Sequence, residues 1–325
     1  MIDKARRRFL DLPCFGVRDV RGPLGRRWLL PYLLLALGWV GCTPQKGPGA
    51  VEDSLTSGRI TIVCAPEARD LLAHEREAFQ ALYPQARITL ESGSSRDGVG
   101  ALFAARCDAA VITRELSPEE RAAAVRGRLE LEGYRFSRDA LVMVVNPANP
   151  VQNVSVEELR GMYTGEVRDW SRLGGPGHAV RPVIQPMESD VTAFFIDRIM
   201  GGRPIGAPAI PAVSDSEVVA RVTQDPDAVG YVTMAWARRG AKVLRVSALT
   251  GLPAVEPDAE SVYRGTYPMT RFFNYYLRTG GAPLAGGFST FLTSHNGQKL
   301  VQESGLVPTS VPVRFVRRSP MLQSH

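Results

Sequence analysis

Residues 59–113 read RITIVCAPEARDLLAHEREAFQALYPQARITLESGSSRDGVGALFAARCDAAVIT, and this stretch decides the fold class. Arg59–Cys64 is a short β-branched run, the pattern of a strand. Pro66–Tyr83 has helical spacing, with Leu71, Leu72, Glu75, Phe79 and Leu82 along one face and Pro66 in the first turn. Ala86–Glu91 predicts a second strand, Gly98–Ala105 a second helix and Asp108–Thr113 a third strand. The order β-α-β-α-β with short connections predicts a parallel sheet covered by helices, an α/β fold.

Downstream the same alternation returns. Leu141–Asn146 is a strand closed by Pro147, and Ser155 with Glu158 three residues on forms a capping box for the helix that follows. Beyond the Gly-rich segment Gly174–Gly177 come a strand at Arg181–Gln185, a helix at about Val191–Met200, a loop at Gly201–Pro211, a helix at Ser214–Gln224 and a strand at Val229–Thr233. Residues 142–233 thus read as a second small α/β unit inserted in the first. The remainder predicts strands near Lys242–Val246 and Tyr267–Leu277, then helices near 285–304.

The chain has 325 residues, 44% hydrophobic and 22% charged, which excludes a disordered or collagen-like protein. Its net charge of +6 is unevenly placed: residues 1–42 hold eight basic and three acidic side chains, leaving 31 basic and 30 acidic in the rest. A neutral body lacks the footprint that nucleic-acid binding requires. Arg26 and Arg27 precede an apolar run at Trp28–Val40, shorter than the ~20 residues of a membrane span and suited to a signal-peptide core. Val40-Gly41-Cys42 resembles the lipobox of bacterial lipoproteins, although Trp39 stands where that family usually has Leu. The resemblance implies a signal peptide at 1–41 and lipidation of Cys42, with plain signal-peptidase cleavage as the alternative. Residues 42–57 are a Pro/Gly/Ser-rich tether. Cys64 and Cys107 fall at opposite ends of their strands, which disfavours a disulfide and makes both small buried residues.

Enzyme signatures fail. His74-Glu75 lacks a second histidine at position 78, there is no Gly-x-Ser-x-Gly, and Gly93–Gly98 has P-loop glycine spacing with Val99 where a lysine is required. What is present are hydroxyl-rich turns after strands: Ser92-Gly93-Ser94-Ser95, Thr113-Arg114 and Ser189-Asp190-Val191-Thr192. Each taken alone reads first as a helix N-cap. Three at the carboxyl edge of a parallel sheet point to a cleft for an anion or polar ligand.

The chain resembles the phosphate-type substrate-binding proteins of bacterial ABC transporters. The most specific stretch is Asn146-Pro147-Ala148-Asn149-Pro150-Val151 through Met162-Tyr163-Thr164-Gly165 to Asp169-Trp170. Ser92–Gly98 is similar to that family's Gly/Ser-rich anion loop, Asp108–Arg114 to its third strand, Val229-Gly230-Tyr231-Val232 and Tyr267-Pro268-Met269-Thr270-Arg271 to later motifs, and Phe288–Pro308 to its closing segment. The resemblance implies a two-lobed type II periplasmic binding-protein fold, each lobe a mainly parallel sheet flanked by helices. It implies lobe 1 at 58–140 and 234–312, lobe 2 at 141–233 and a tail at 313–325, with hinges near 138–142 and 233–240. It further implies a monomer that binds inorganic phosphate or a similar oxyanion for a permease partner, with no cofactor and no metal.

The family's hydroxyl positions carry over to Ser94 or Ser95, Thr113 and Ser189; Asp190 and Thr192 of the same turn are further candidate ligand residues, with Arg96 and Arg114 as candidate cationic partners. Three departures stand out. Cys64-Ala65-Pro66 replaces a hydroxyl-bearing first loop, Gln185 falls where the family has arginine, and Asp190 falls where it has glycine. A carboxylate ~4 Å from a bound anion opposes it by about 4 kcal/mol per pair of unit charges at an effective dielectric near 20. The alternatives are a sensory or scaffold protein that kept the fold without high-affinity binding, and an enzyme using Cys64.

Overall fold

A computed structural model describes residues 53–310. The expected signal peptide, Cys42, the tether up to residue 52 and the tail at 313–325 lie outside the described residues. Among the described residues no helix is long and apolar enough to cross a membrane.

The first half follows the β-α-β-α-β order: β1 (Gly58–Cys64), α1 (Arg69–Leu82), β2 (Ala86–Ser92), α2 (Ser95–Phe103) and β3 (Ala109–Ile112). Then come α3 (Pro118–Arg126), the long β4 (Leu131–Val145), β5 (Asn153–Ser155), α4 (Val156–Thr164), β6 (Arg181–Ile184) and α5 (Asp190–Phe195). These are followed by β7 (Ile210–Pro211), α6 (Asp215–Gln224), β8 (Ala228–Thr233), β9 (Lys242–Val243), β10 (Arg245–Ser247) and α7 (Ala259–Arg264). The described chain closes with β11 (Thr270–Arg278), α8 (Pro283–Thr293), α9 (His295–Glu303) and β12 (Val307–Pro308).

The main sheet runs β2-β1-β3-β11-β4-β8-β6-β7. Its two flanks are parallel, β1 with β2 and β3 on one side and β6 with β7 and β8 on the other. The middle is antiparallel: residues 131–140 of β4 pair with β11, and Leu141–Val145 pair with β8. One strand therefore serves both flanks. Its Phe136 packs with Ile62, Phe79, Phe273 and Phe288, whereas its Ala140–Val145 packs with Tyr163, Trp170, Phe195 and Tyr231. At the changeover Asp139 lies opposite Arg271 of β11. Arg271 Nε donates to Asp139 Oδ2 at 2.9 Å, and the Met234 N–H donates to Asp139 Oδ1 at 3.1 Å.

Several boundaries differ from the sequence reading, each for a local reason. α2 starts at Ser95 rather than Gly98 because Ser94 and Asp97 form a reciprocal capping box. β4 starts ten residues before Leu141; its first half interleaves Glu132, Arg135 and Arg138 with apolar residues, so it lacks the continuous apolar run that marks the second half. α3 and α7 are helices the reading omitted, each opened by its own capping box, at Ser117/Glu120 and Asp258/Ser261. On α1 the buried face holds Leu71, Leu72, Glu75 and Phe79 as expected, but Leu82, the last helical residue, is 56% exposed. Gly230 is required on β8: a Cβ there would fall 2.5 Å from Val218 Cγ1 of α6.

Candidate functional site

Parallel register aligns the carboxyl ends of the strands that feed the cleft. Cys64 at the end of β1 is level with Ser92 of β2 and Val111 of β3. The residues that follow, Pro66-Glu67 after β1 and Ser94 at the start of α2, line a cavity of about 520 Å³. Its opposite wall is built at the carboxyl ends of β6, β7 and β8, from Gln185, Pro186, Glu188–Val191, Val213–Ser216 and Trp236. This is the crevice outside the strand ends where open α/β sheets bind ligands.

On the α2 wall, the donors are arranged by their own neighbours. The Thr113 N–H donates to Ser95 Oγ at 3.1 Å, which occupies an acceptor lone pair of the hydroxyl and leaves its proton free to point outward. Thr113 Oγ1 lies 3.5 Å from the same oxygen. Ser94 is committed to the cap: its Oγ accepts from Asp97 N–H at 3.2 Å and donates to Asp97 Oδ2 at 2.7 Å. That contact, with the Ser94 N–H, holds the Asp97 carboxyl below the usual range.

On the facing wall most polar side chains turn inward. Thr192 is fully buried; its Oγ1 donates to the Gln185 carbonyl at 3.2 Å and lies 2.8 Å from Tyr231 Oη. Ser189 caps α5, accepting from Thr192 N–H at 3.2 Å and donating to Thr192 Oγ1 at 3.1 Å. Gln185 donates its amide to Asp215 Oδ1 at 2.7 Å and to the Tyr231 carbonyl at 3.3 Å, so it is tied down within its own wall.

Asp190 is the exception, because it reaches across. Its Oδ2 accepts from the Ser95 N–H at 2.8 Å and from the Ser95 hydroxyl at 2.7 Å. A carboxylate of one wall is thereby bound by two donors of the other.

The two arginines lie elsewhere. Arg114 makes a bidentate pair with Glu120, both contacts at 2.7 Å, and Arg96 is exposed; neither is among the cavity-lining residues. Among the described lining residues there is no Lys or Arg, while Glu67, Asp97, Glu188, Asp190 and Asp215 all contribute carboxyls. Burial pushes the Glu67 carboxyl up, with Arg271 opposing, and pushes Asp215 up, with the Thr233 hydroxyl opposing. These two acids therefore hold their protons more readily than exposed carboxyls do. The sequence reading missed Glu67, Asp215 and Trp236. Glu67 and Asp215 had a usable signal, since each directly follows a residue that opens a helical turn, Pro66 and Ser214. Cys64 is buried and its thiol is pushed up to about 11 by burial, so it stays protonated and unreactive near neutral pH. A buried, protonated thiol outside the cavity lining gives a cysteine nucleophile no support.

Two α/β flanks sharing one antiparallel strand pair, with a polar cleft at their carboxyl edges, define a two-lobed type II periplasmic binding protein. The profile of the PBP superfamily domain matches residues 49–296, and the chain belongs to that family. It is 26% identical over 272 residues to the phosphate-binding protein PstS of Bacillus subtilis (strain 168), covering 82% of this chain and 86% of that protein. Among solved structures it is similar to an ABC-type phosphate transport receptor from Vibrio cholerae, with TM-score 0.67, 23% identity and coverage of 76% and 99%. It is also similar to PstS from Borrelia burgdorferi, with TM-score 0.60, 20% identity and coverage of 78% and 99%.

Proposed function

We propose that this protein is an extracytoplasmic solute-binding protein that captures a small oxyanion, phosphate in the first instance, for an ABC transporter. The observation that carries the reading is the convergence of the Ser95 N–H and O–H on one anionic oxygen. Donors that hold a carboxylate oxygen at 2.7–2.8 Å have the geometry to hold a phosphate oxygen. The names of the relatives point the same way. In this reading Ser95 and Thr113 form the inner oxyanion seat, and Ser94 and Ser189 flank it. Thr192 positions the α5 turn from behind, and Arg96 and Arg114 act through the long-range field rather than by contact.

The activity is binding without bond breaking. The lobes, 58–140 with 234–312 and 141–233, close by bending near 138–142 and 233–240. The β4–β11 crossing, held by Asp139 and Arg271, serves as the pivot. Export by the signal peptide 1–41, anchoring through lipidated Cys42, delivery to a permease and a monomeric state complete the proposal.

Isothermal calorimetry of the full chain with phosphate, and with sulfate and molybdate for comparison, tests it. Phosphate should release or absorb heat saturably, and Ser95→Ala should weaken binding by at least about tenfold, the worth of one hydrogen bond to a charged group. Absence of heat with all three anions would overturn the oxyanion assignment.

A further inference from the structure

Resting on the oxyanion reading of the cleft, we infer that the Asp190 carboxylate is an internal occupant of the Ser95 seat, which a solute anion must displace to bind. Asp190, the first residue of α5, lines the cavity, whereas Ser95, the first of α2, is fully buried behind the lining residues Ser94 and Asp97, so the contact ties together the elements that build the two walls. One carboxylate oxygen takes both the N–H and the O–H of Ser95. The O–H is aimed at it because Thr113 N–H already fills the other side of Ser95 Oγ. The two donors best oriented for an incoming oxyanion are therefore engaged before any solute arrives.

The surroundings make the exchange unequal. An anion entering beside an undisplaced Asp190 meets its charge and those of Asp97 and Glu188 in a cavity whose described lining has no Lys or Arg. Displacing Asp190 requires the cross-wall contact to break, so apparent affinity falls by the fraction of molecules in which the seat is free. Asp190 thus sets both the affinity of the site and its preference. A dianion pays the most repulsion, and a neutral or singly charged ligand is disfavoured least. The same contact links the walls without solute, which favours the closed arrangement in the empty protein.

The test uses the full chain and two variants, Asp190→Ala and Asp190→Asn. Alanine empties the seat, whereas asparagine removes the charge and keeps an acceptor oxygen in place. Two readouts are compared: amide hydrogen exchange at Ser95 without ligand, and calorimetric affinity for phosphate. Ser95 exchange should accelerate at least about tenfold in Asp190→Ala, because the N–H loses its acceptor. Phosphate should bind at least about tenfold more tightly to Asp190→Ala than to the unsubstituted chain, with Asp190→Asn between them. Unchanged Ser95 exchange in a folded Asp190→Ala protein overturns the inference. So does phosphate binding that is equal or weaker in both variants when the unsubstituted chain binds. Faster exchange with no anion bound by any of the three chains supports the internal occupant and overturns the oxyanion reading instead.

Discussion

At the crossing of β4 and β11 the buried Asp139 carboxylate meets the buried Arg271 guanidinium, while on the inner face of α1 the equally buried Glu75 has neither oxygen hydrogen-bonded. The first acid sits on a strand that serves both flanks of the sheet, within 2.9 Å of a cation and with a backbone N–H on its second oxygen. The second faces the aliphatic and aromatic cluster of Leu71, Leu72 and Phe79. Burial pushes the Glu75 carboxyl up to about 9, so it enters the core as a neutral acid. The same type of group is thus held as half of an ion pair where the chain supplies partners, and as a protonated side chain where it does not. Asp190 is a third solution: a carboxylate satisfied by neutral donors of the facing wall, and so replaceable by any stronger acceptor.

The comparison is broken most directly at Arg271. Replacing it by methionine keeps the side-chain volume and leaves Asp139 buried without its cation, which costs about 3–5 kcal/mol. Arg271→Met should lower the denaturation midpoint by a corresponding amount, whereas the double variant Arg271→Met/Asp139→Asn should recover part of the loss. A midpoint within experimental error of the unsubstituted protein would mean that the pair contributes nothing to the crossing.

Glu75 gives the next largest effect, and its sign is fixed by the direction of its shift. The folded state binds the proton more tightly than the unfolded chain does. Its stability contribution is therefore complete below the ordinary value of 4.5 and is lost as pH rises toward about 9. The slope in that window is up to about 1.4 kcal/mol per pH unit, so raising pH from 6 to 8 costs on the order of 2–3 kcal/mol. Chemical denaturation at the two pH values checks this. Glu75→Gln, which cannot ionise, should flatten the difference, and an equally steep loss in Glu75→Gln would assign the dependence to other groups such as Glu67 and Asp215.

These buried acids also mark where the sequence was legible and where it was not. The strand and helix order could be read through most of residues 58–304, because apolar periodicity and Ser-led caps are local signals. Glu75 already stood on the apolar face of its helix by spacing alone. The pairing of Asp139 with Arg271 spans 132 positions and had no local mark. The site shows the same divide. The turns containing Ser94, Ser95, Ser189 and Asp190 were found from hydroxyls at strand ends. Spacing does not reveal that Thr192 turns inward to the Gln185 carbonyl or that Arg114 is engaged by Glu120. Nor does it reveal that Asp190 crosses the cleft, since that contact depends on how the two walls meet.

The smallest effect separates two duties of neighbouring serines. Ser94 and Ser95 both lie on the anion-loop turn, but the Ser94 hydroxyl is spent within its own helix cap on Asp97. Ser94→Ala should cost about 1 kcal/mol of stability, the usual worth of an N-cap. The cap also carries a pH sign opposite to that of Glu75. Asp97 is held below its ordinary value by the Ser94 hydroxyl and N–H, so its contribution is present above that value and is lost as pH falls. Removing the hydroxyl should therefore flatten the acid side of the stability profile while leaving the alkaline side to Glu75. Phosphate affinity should fall less in Ser94→Ala than in Ser95→Ala, because only Ser95 directs its hydroxyl across the cleft. An equal fall in both would show that the cap opens to make Ser94 a ligand, and that the division of labour between these two serines exists only in the empty protein.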